Sequence, residues 1–399
     1  MLSLEQARDA ILAEIMPATA TETVSLAQAH GRFTAQELQA QVDNPAFDNS
    51  AMDGYAVRAA ELVAAGFVLP LEGESRCGDA PRKLASGTTM RIFTGAPMPQ
   101  GADTIVIQED VKRDGAKVIF PKSVQPGSHR RRQGEDFRRG DRLYPAGRRL
   151  SSYDLALLSA AGVEEIPVYP RARVLVAATG DELVKPGTPL RPGQIYESNR
   201  LATLWLLREL GMEAVDGGTV RDDPAELRAW LQSSAEYDFV ITSGGASVGE
   251  HDLVKQLFAE IGEIKLWKAK IKPGKPIAFG RVGHRAHFFA LPGNPVSSLV
   301  TFKLFVEPAL ITWHHGNPRL PQLAARATHD FRRHPGRTEF VRARLAAEDG
   351  QLQATALRGQ GSHMLGPLRE TNGFIRIEAE SPGFRQGDTV LAIPLSTDF

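Results

Sequence analysis

Between Arg171 and about Leu320, short apolar runs alternate with amphipathic stretches, and this alternation constrains the fold more than any other feature. Val174 to Ala178 is an unbroken apolar run, the pattern of a strand buried on both faces. A helix is expected from Ser198 to Leu210, stopped by Gly211. Asp223-Pro224-Ala225-Glu226 reads as a helix start, with a capping acid, proline at the first position and glutamate at the third. Phe239 to Thr242 is the next expected strand and Asp252 to Ile261 the next helix. Strands near Ile264 to Lys272 and His287 to Leu291 follow, and a last helix opens at Pro295 and runs towards Trp313. Such alternation predicts an α/β domain with a parallel sheet and helices on both faces.

The flanks have another texture. Ser3 with Gln6 forms a capping box, and Leu4, Ala7, Ile11 and Ile15 recur at helical spacing. From Val42 to about Tyr144, glycine, proline and short β-branched runs predict a small, mainly β domain. Ser151 to Ala161 is helical again, and its apolar face is expected to pack with the first helix in a discontinuous linker domain. After Pro321 helical patterns stop. Thr338 to Leu345, Leu352 to Leu357, Gly373 to Glu378 and Thr389 to Ile393 read as strands of a C-terminal β-barrel or sandwich.

Length and composition exclude several classes. A chain of 399 residues exceeds one ordinary core. Its formal net charge of zero gives no bulk reason to bind nucleic acid or an acidic membrane surface. Cys77 is the only cysteine, which rules out an intramolecular disulfide and thiolate metal clusters and fits a reducing cytoplasm. No secretory signal pattern opens the chain, and apolar runs such as Leu201 to Leu207 fall far short of the roughly 20 residues that span a bilayer. A soluble, cytoplasmic protein is the expectation.

Several segments could carry chemistry. Thr242 to Asp252 (TSGGASVGEHD) places Gly244, Gly245 and Gly249 with Ser243 and Ser247 between a buried strand and a helix. At the carboxyl edge of a parallel sheet such a loop lets backbone N–H groups converge on an anion. It is neither a Walker A loop nor a dinucleotide fingerprint, since Gly274-Lys275 is followed by Pro276. Lys268, Lys270 and Lys272 alternate, so on a strand they share one face, and with Lys275 they could form a cationic socket or merely a solvated edge. Asp181 and Glu182 follow the first strand of the α/β domain, and Asp222 and Asp223 the second. Carboxylates beside a phosphate site are costly without a divalent cation, which makes magnesium the natural inference. Asp48 to Ala56 and Leu291 to Pro295 read as tight loops, and the ten histidines show no metal-binding spacing.

Taken in order, Phe47 to Ala56 (FDNSAMDGYA), Arg91 to Ala96 (RIFTGA), Gly134-Glu135-Asp136, Thr179 to Leu183 (TGDEL), Ser243 to Asp252, Lys272 to Pro276 (KPGKP) and Leu291 to Ser297 (LPGNPVS) resemble one family across nearly the whole chain. That family is the molybdopterin molybdenumtransferases of the MoeA type, related to gephyrin and to the corresponding plant enzyme. The resemblance implies a discontinuous helical linker domain at 1–44 with 142–170 and a mainly β domain at 45–141. A MogA-like α/β domain is expected at 171–321 and a β-barrel at 322–399. It further implies a homodimer with a shared active site and a magnesium-aided reaction in which adenylylated molybdopterin and molybdate give molybdenum cofactor and AMP. Transient contact with a molybdopterin adenylyltransferase and with molybdoenzymes is expected, but no nucleic acid and no membrane.

Carried onto this sequence, Asp53 and Thr94 would meet the α/β domain of the other subunit. Asp136, Glu182, Asp222 and Asp252 match acidic site positions, Lys268 and Lys272 basic ones. Pro292 and Pro295 match the loop positions, flanking Gly293 and Asn294, while Arg342 and Ser362 match the C-terminal domain's. Ser243, Gly244, Gly245, Ser247, Gly249 and Lys275 are expected to hold substrate, and Asp181, Glu182 and Asp222 are the candidates for magnesium. One departure is Asn44-Pro45-Ala46-Phe47, where family members often have two prolines before the phenylalanine. A nucleotide hydrolase on the same α/β module and a gephyrin-like scaffold are the competing readings.

Overall fold

The structure is a computed structural model that describes residues 1–221, 223–244 and 262–395, with backbone alone at 262–264, 266 and 267. The expected helix at Asp252 to Ile261 lies outside the described residues.

Helix α1 (Leu4–Ala13) opens with the reciprocal Ser3–Gln6 box, at 3.1 and 2.9 Å, and α2 (Ser152–Ala160) is capped the same way by Ser151 and Asp154. The two helices do not share a core. Leu4, Ala7 and Ile11 of α1 belong to the large core of the α/β domain, whereas Leu158 and Ala161 of the α2 segment pack with Val24, Leu38 and Ile166. Two antiparallel ladders supply that second core: Glu22–Ser25 with Glu165–Val168, and Leu38–Gln39 with Arg142–Tyr144. The expected pairing of α1 with α2 is therefore replaced by separate docking, because the apolar stripe of α1 finds a larger apolar surface on the α/β domain.

Six strands make the β domain: β1 (Gly54–Val57), β2 (Val68–Ser75), β3 (Thr89–Ile92), β4 (Thr104–Ile107), β5 (Lys112–Asp114) and β6 (Lys117–Ile119). Their order is β4-β1-β3-β2-β6-β5, antiparallel except for the β2–β3 pair. Central β1 is buried at every position, which fits its apolar sequence.

The α/β domain is built on β7 (Arg173–Thr179), β8 (Glu213–Val220), β9 (Phe239–Ser243), β10 (Gly262–Lys268), β12 (Pro276–Val282) and β13 (Ala286–Leu291), with the short β11 (Ile271–Lys272) between. Strand order is β8-β7-β9-β13-β12-β10, with β8, β7, β9 and β13 parallel. An antiparallel hairpin, β10–β12, extends that parallel core. Because β12 opposes β13 and β10 opposes β12, β10 runs with the parallel strands and delivers Lys268 to their carboxyl edge. Leu204 and Leu207 of α3 (Asn199–Glu209) pack with Val174, Ile241 and Leu291 on one face. Leu227 and Leu231 of α4 (Pro224–Ser233) pack with Ala177, Val240 and Ala290 on the other. Helix α5 (Pro295–Trp313) is long and apolar enough to cross a bilayer, yet 72% of its apolar window is buried in this core. A π-helical turn at Phe302–Val306 precedes Pro308, which has no N–H for a regular helical bond.

The C-terminal strands β14 (Leu323–Ala327), β15 (Thr338–Glu348), β16 (Gln351–Ala356), β17 (Gly373–Ile377) and β18 (Thr389–Pro394) close a five-stranded barrel, since β15 pairs with both β16 and β17. Val341, Leu345 and Ile375 fill it, while Phe340 and Phe374 join the α/β core, so the barrel docks by its wall. β11 adds to β15 in parallel, pairing Ile271 with Thr338 and Lys272 with Glu339.

Candidate active site

The carboxyl ends of β7, β9 and β13 meet at one edge. Gly244 donates its N–H to Leu291 O at 3.0 Å and has φ +100°, and a Cβ there would lie 2.6 Å from Thr179 Oγ1. Only glycine closes this turn between three strands. Ser243 is buried at the end of β9. Gly245, Ser247, Gly249 and Asp252 lie outside the described residues, as does Asp222. Glu182 and Asp181 are exposed on the adjoining loop, and Asp181 reaches Arg221 at 3.7 Å. Among the described residues no three histidine, cysteine, aspartate or glutamate groups converge closely enough to hold a metal by themselves.

On the same edge, Asn294 precedes α5, with Pro292 buried and Gly293 exposed. The loop is tied down by Asn199, whose side-chain amide donates to Gly293 O at 2.7 Å. Asn199 was not singled out in the sequence; its place at a helix start beside a polar run was the signal available. Lys268, Lys270 and Lys272 are exposed and alternate with Ala269 and Ile271, both fully buried. The turn that presents Lys275 packs on α5, since a Cβ on Gly274 would meet Thr301 Oγ1 at 2.8 Å.

The barrel closes the other side. Val296 donates its N–H to Ser362 O at 3.0 Å, joining the proline-flanked loop to the 359–364 loop. Arg342 is 1% exposed, and its guanidinium donates to the carbonyls of Gly359, Gly361 and Met364. Gln360 makes the same loop rigid by accepting from Arg342 N and donating to Arg342 O, at 2.9 and 3.0 Å. Burial pulls the Arg342 pKa below its ordinary value. The group stays cationic, with carbonyls and no carboxylate as its partners among the described residues. A buried cation so placed attracts anions. Its full burial makes it a support for the loop that carries Ser362, and Ser362 itself is half-buried. Lys272 Nζ meets Glu339 Oε1 at 2.9 Å, and Glu339 is buried. Glu339 was missed because an acid in a strand ordinarily reads as solvent-facing.

Asp53 and Thr94 form a second cluster in the β domain. Asp53 Oδ1 accepts from Thr94 N at 2.7 Å and Thr94 Oγ1 at 2.8 Å. These two bonds, with the Arg91 guanidinium nearby, hold the Asp53 carboxyl below its usual range. Asp48 accepts from Gln133 N at 2.8 Å and pairs with Arg130; burial opposes these contacts, yet its pKa is still lowered. Asp136 is exposed and accepts from the Asn44 side chain at 2.9 Å. No hydrogen bond or ion pair among the described residues joins these acids to the lysine edge.

The sequence matches three family models: the MoeA N-terminal region (domains I and II) at residues 2–162, a probable molybdopterin binding domain at 175–312, and the MoeA C-terminal region (domain IV) at 324–395. It is 39% identical to the molybdopterin molybdenumtransferase of Haemophilus influenzae over 404 residues, covering 99% of each chain. It is 38% identical to molybdopterin molybdenumtransferase 2 of Mycobacterium tuberculosis over 385 residues, 93% of this chain and 94% of that one. Among solved structures, a molybdopterin biosynthesis MoeA protein from Pyrococcus horikoshii superposes with a TM-score of 0.84 at 28% identity, over 99% of this chain and all of that one. The chain thus belongs to the molybdopterin molybdenumtransferase (MoeA) family, and its role lies in molybdenum cofactor biosynthesis.

Proposed function

We propose that this protein inserts molybdate into adenylylated molybdopterin and releases AMP. The observation that supports this best is the meeting of three anion-seeking elements at one seam: the Lys268–Lys275 segment, the Pro292–Pro295 loop and the barrel loop held by Arg342. Both substrates are anions, and cations with backbone N–H groups are what would bind them. In this reading the adenylylated pterin lies along the strand edge at Ser243 and Gly244. Molybdate sits in the seam, beside Lys272, Lys275 and Ser362. The residues bind and orient; no serine or cysteine nucleophile is required, and catalysis rests on proximity and electrostatics.

Magnesium belongs to the same proposal. Exposed carboxylate oxygens at a strand end are the donor class this ion takes, and the loose Asp181–Arg221 contact could yield to it. Asp181 and Glu182 would hold it together with Asp222 or the substrate's own phosphates. Once bound, it would offset charge on the phosphoanhydride. Asp53 and Thr94 reach the site in this reading from the second subunit of a homodimer, and the enzyme works in the cytoplasm.

The test is AMP release from adenylylated molybdopterin by the purified protein with magnesium, molybdate being added or withheld. Molybdate-dependent release that disappears in Asp53→Ala supports the transferase. Release without molybdate would instead mark a hydrolase, and neither release nor binding would mark a scaffold.

A further inference from the structure

Glu339 has no place in the chemistry above, yet it is a buried carboxylate at the seam between two domains. Its position follows from strand pairing. β11 lies parallel to the start of β15, Thr338 donates its N–H to Lys270 O at 2.9 Å, and the Arg337 guanidinium reaches Ile271 O at 3.4 Å. The two carboxylate oxygens are divided between two cations. Oε2 faces Arg333 at 3.4 Å, and Oε1 faces Lys272 at 2.9 Å.

These two cations are unlike. The Arg333 side chain is 3% exposed and anchored on the carbonyls of Arg337, Glu378, Ala379 and Ser381. It fixes Glu339 from within the barrel. The Lys272 side chain is 47% exposed, so its ammonium, with three donors, keeps donor directions open beyond the one Glu339 takes. Arg333 and Glu339 alone would balance one another. Adding Lys272 leaves one net positive charge, placed at the open side of the seam, and that is the charge a small oxyanion would complete.

We propose that Glu339 is the positioning residue of the oxyanion site, holding the flexible Lys272 side chain in the geometry that receives molybdate. The inference rests on reading Lys272 as an oxyanion ligand. It makes the barrel a working part of the site, supplying the anchor for a lysine carried by the α/β domain.

The experiment compares Glu339→Gln, Glu339→Asp, Lys272→Ala and the double variant Lys272→Ala/Glu339→Gln in the full-length protein. KM for molybdate, KM for adenylylated molybdopterin, kcat and thermal unfolding are measured for each. Glu339→Gln keeps the shape and loses the charge; it should raise the molybdate KM about tenfold while kcat and the other KM stay within about twofold. Glu339→Asp, which keeps the charge and should fold if the amide variant does not, should recover most of the molybdate affinity. The double variant should be no worse than Lys272→Ala alone. Equal rises in both KM values, a fall in kcat alone, no rescue by aspartate, or full additivity with Lys272→Ala would overturn the positioning role. A Lys272→Ala variant with unchanged molybdate KM would overturn the oxyanion reading beneath it.

Discussion

Among the described residues, the Asp53 carboxylate accepts hydrogen bonds from Thr94, through a backbone N–H and a hydroxyl on the neighbouring loop. Lys272 is held by a relay: Glu339 on the barrel, then Arg333, then four backbone carbonyls of the barrel's turns. Asp53 lies on a loop and Lys272 ends the short strand β11, and both carry charges at positions the family resemblance marks as site residues. The acid's environment is local to the β domain, built from hydrogen bonds at a partly exposed surface. The lysine's is an assembly of two domains, with desolvated charges that depend on each other. A locally held group should tolerate change at little cost in stability, and an assembled one at a larger cost.

The strongest break in this contrast is Arg342→Ala. It removes the buried guanidinium that donates to three loop carbonyls and with it the support of the 359–364 loop, and should cost about 3–5 kcal/mol of stability in urea unfolding. A variant as stable as the parent would mean that the seam is no more interdependent than the acidic loop.

Acid gives the next largest effect per group. His287 accepts from Met16 N at 3.2 Å and His314 packs its ring between Leu310 O and Pro170 O, both at the junction of the linker and α/β domains. Burial pushes both imidazoles down to about 4, with Arg281 adding to the effect at His287 and two carbonyl contacts opposing it at His314. The folded pKa values lie below the ordinary 6.5, so the unfolded chain binds more protons in between. Stability is then fully present above about pH 6.5 and is lost as pH falls towards 4, by up to about 3 kcal/mol per histidine. Asp53, held below its ordinary value, stays ionised over that window. Unfolding midpoints across pH 4 to 7 should therefore fall while the acidic loop keeps its charge; a flat profile would contradict the two buried neutral histidines.

A smaller cost is expected from Gly244→Ala, about 1–3 kcal/mol, from its φ of +100° and the 2.6 Å approach to Thr179 Oγ1. AMP release should fall by more than this destabilisation explains, because the turn sets the strand edge. Smallest in stability is Asp53→Asn, which should leave thermal unfolding unchanged and lower molybdate-dependent turnover on the order of a hundredfold. A parallel loss of stability and activity there would erase the contrast with the lysine seam.

Much of the lysine edge was legible in the chain itself. The alternation of Lys268, Lys270 and Lys272 with Ala269 and Ile271 is a period-two pattern, and the structure exposes one set and buries the other. The cap at Asp223 was legible too, since it accepts from Ala225 and Glu226 N–H groups at 3.0 and 2.9 Å. The β10–β12 hairpin was harder to read, because a short apolar run such as Ile277–Phe279 has the same signature in parallel and antiparallel company. Neither the relay behind Lys272 nor the Asp48–Arg130 pair, 82 residues apart in sequence, left any local signal.

By itself the sequence determined the kinds of elements, their order, the capped helix starts and the glycine turn at Gly244, because backbone preference and apolar periodicity act over a few residues. Only the tertiary structure decided that α1 docks on the α/β core apart from α2, that the barrel closes on itself, and that β11 pairs with β15. Those outcomes depend on contacts between distant segments, where burial and charge pairing are settled by which surfaces meet. Lys272 shows the division: its exposure was written in the alternation of its neighbours, and its partner Glu339 was chosen by the docking of another domain.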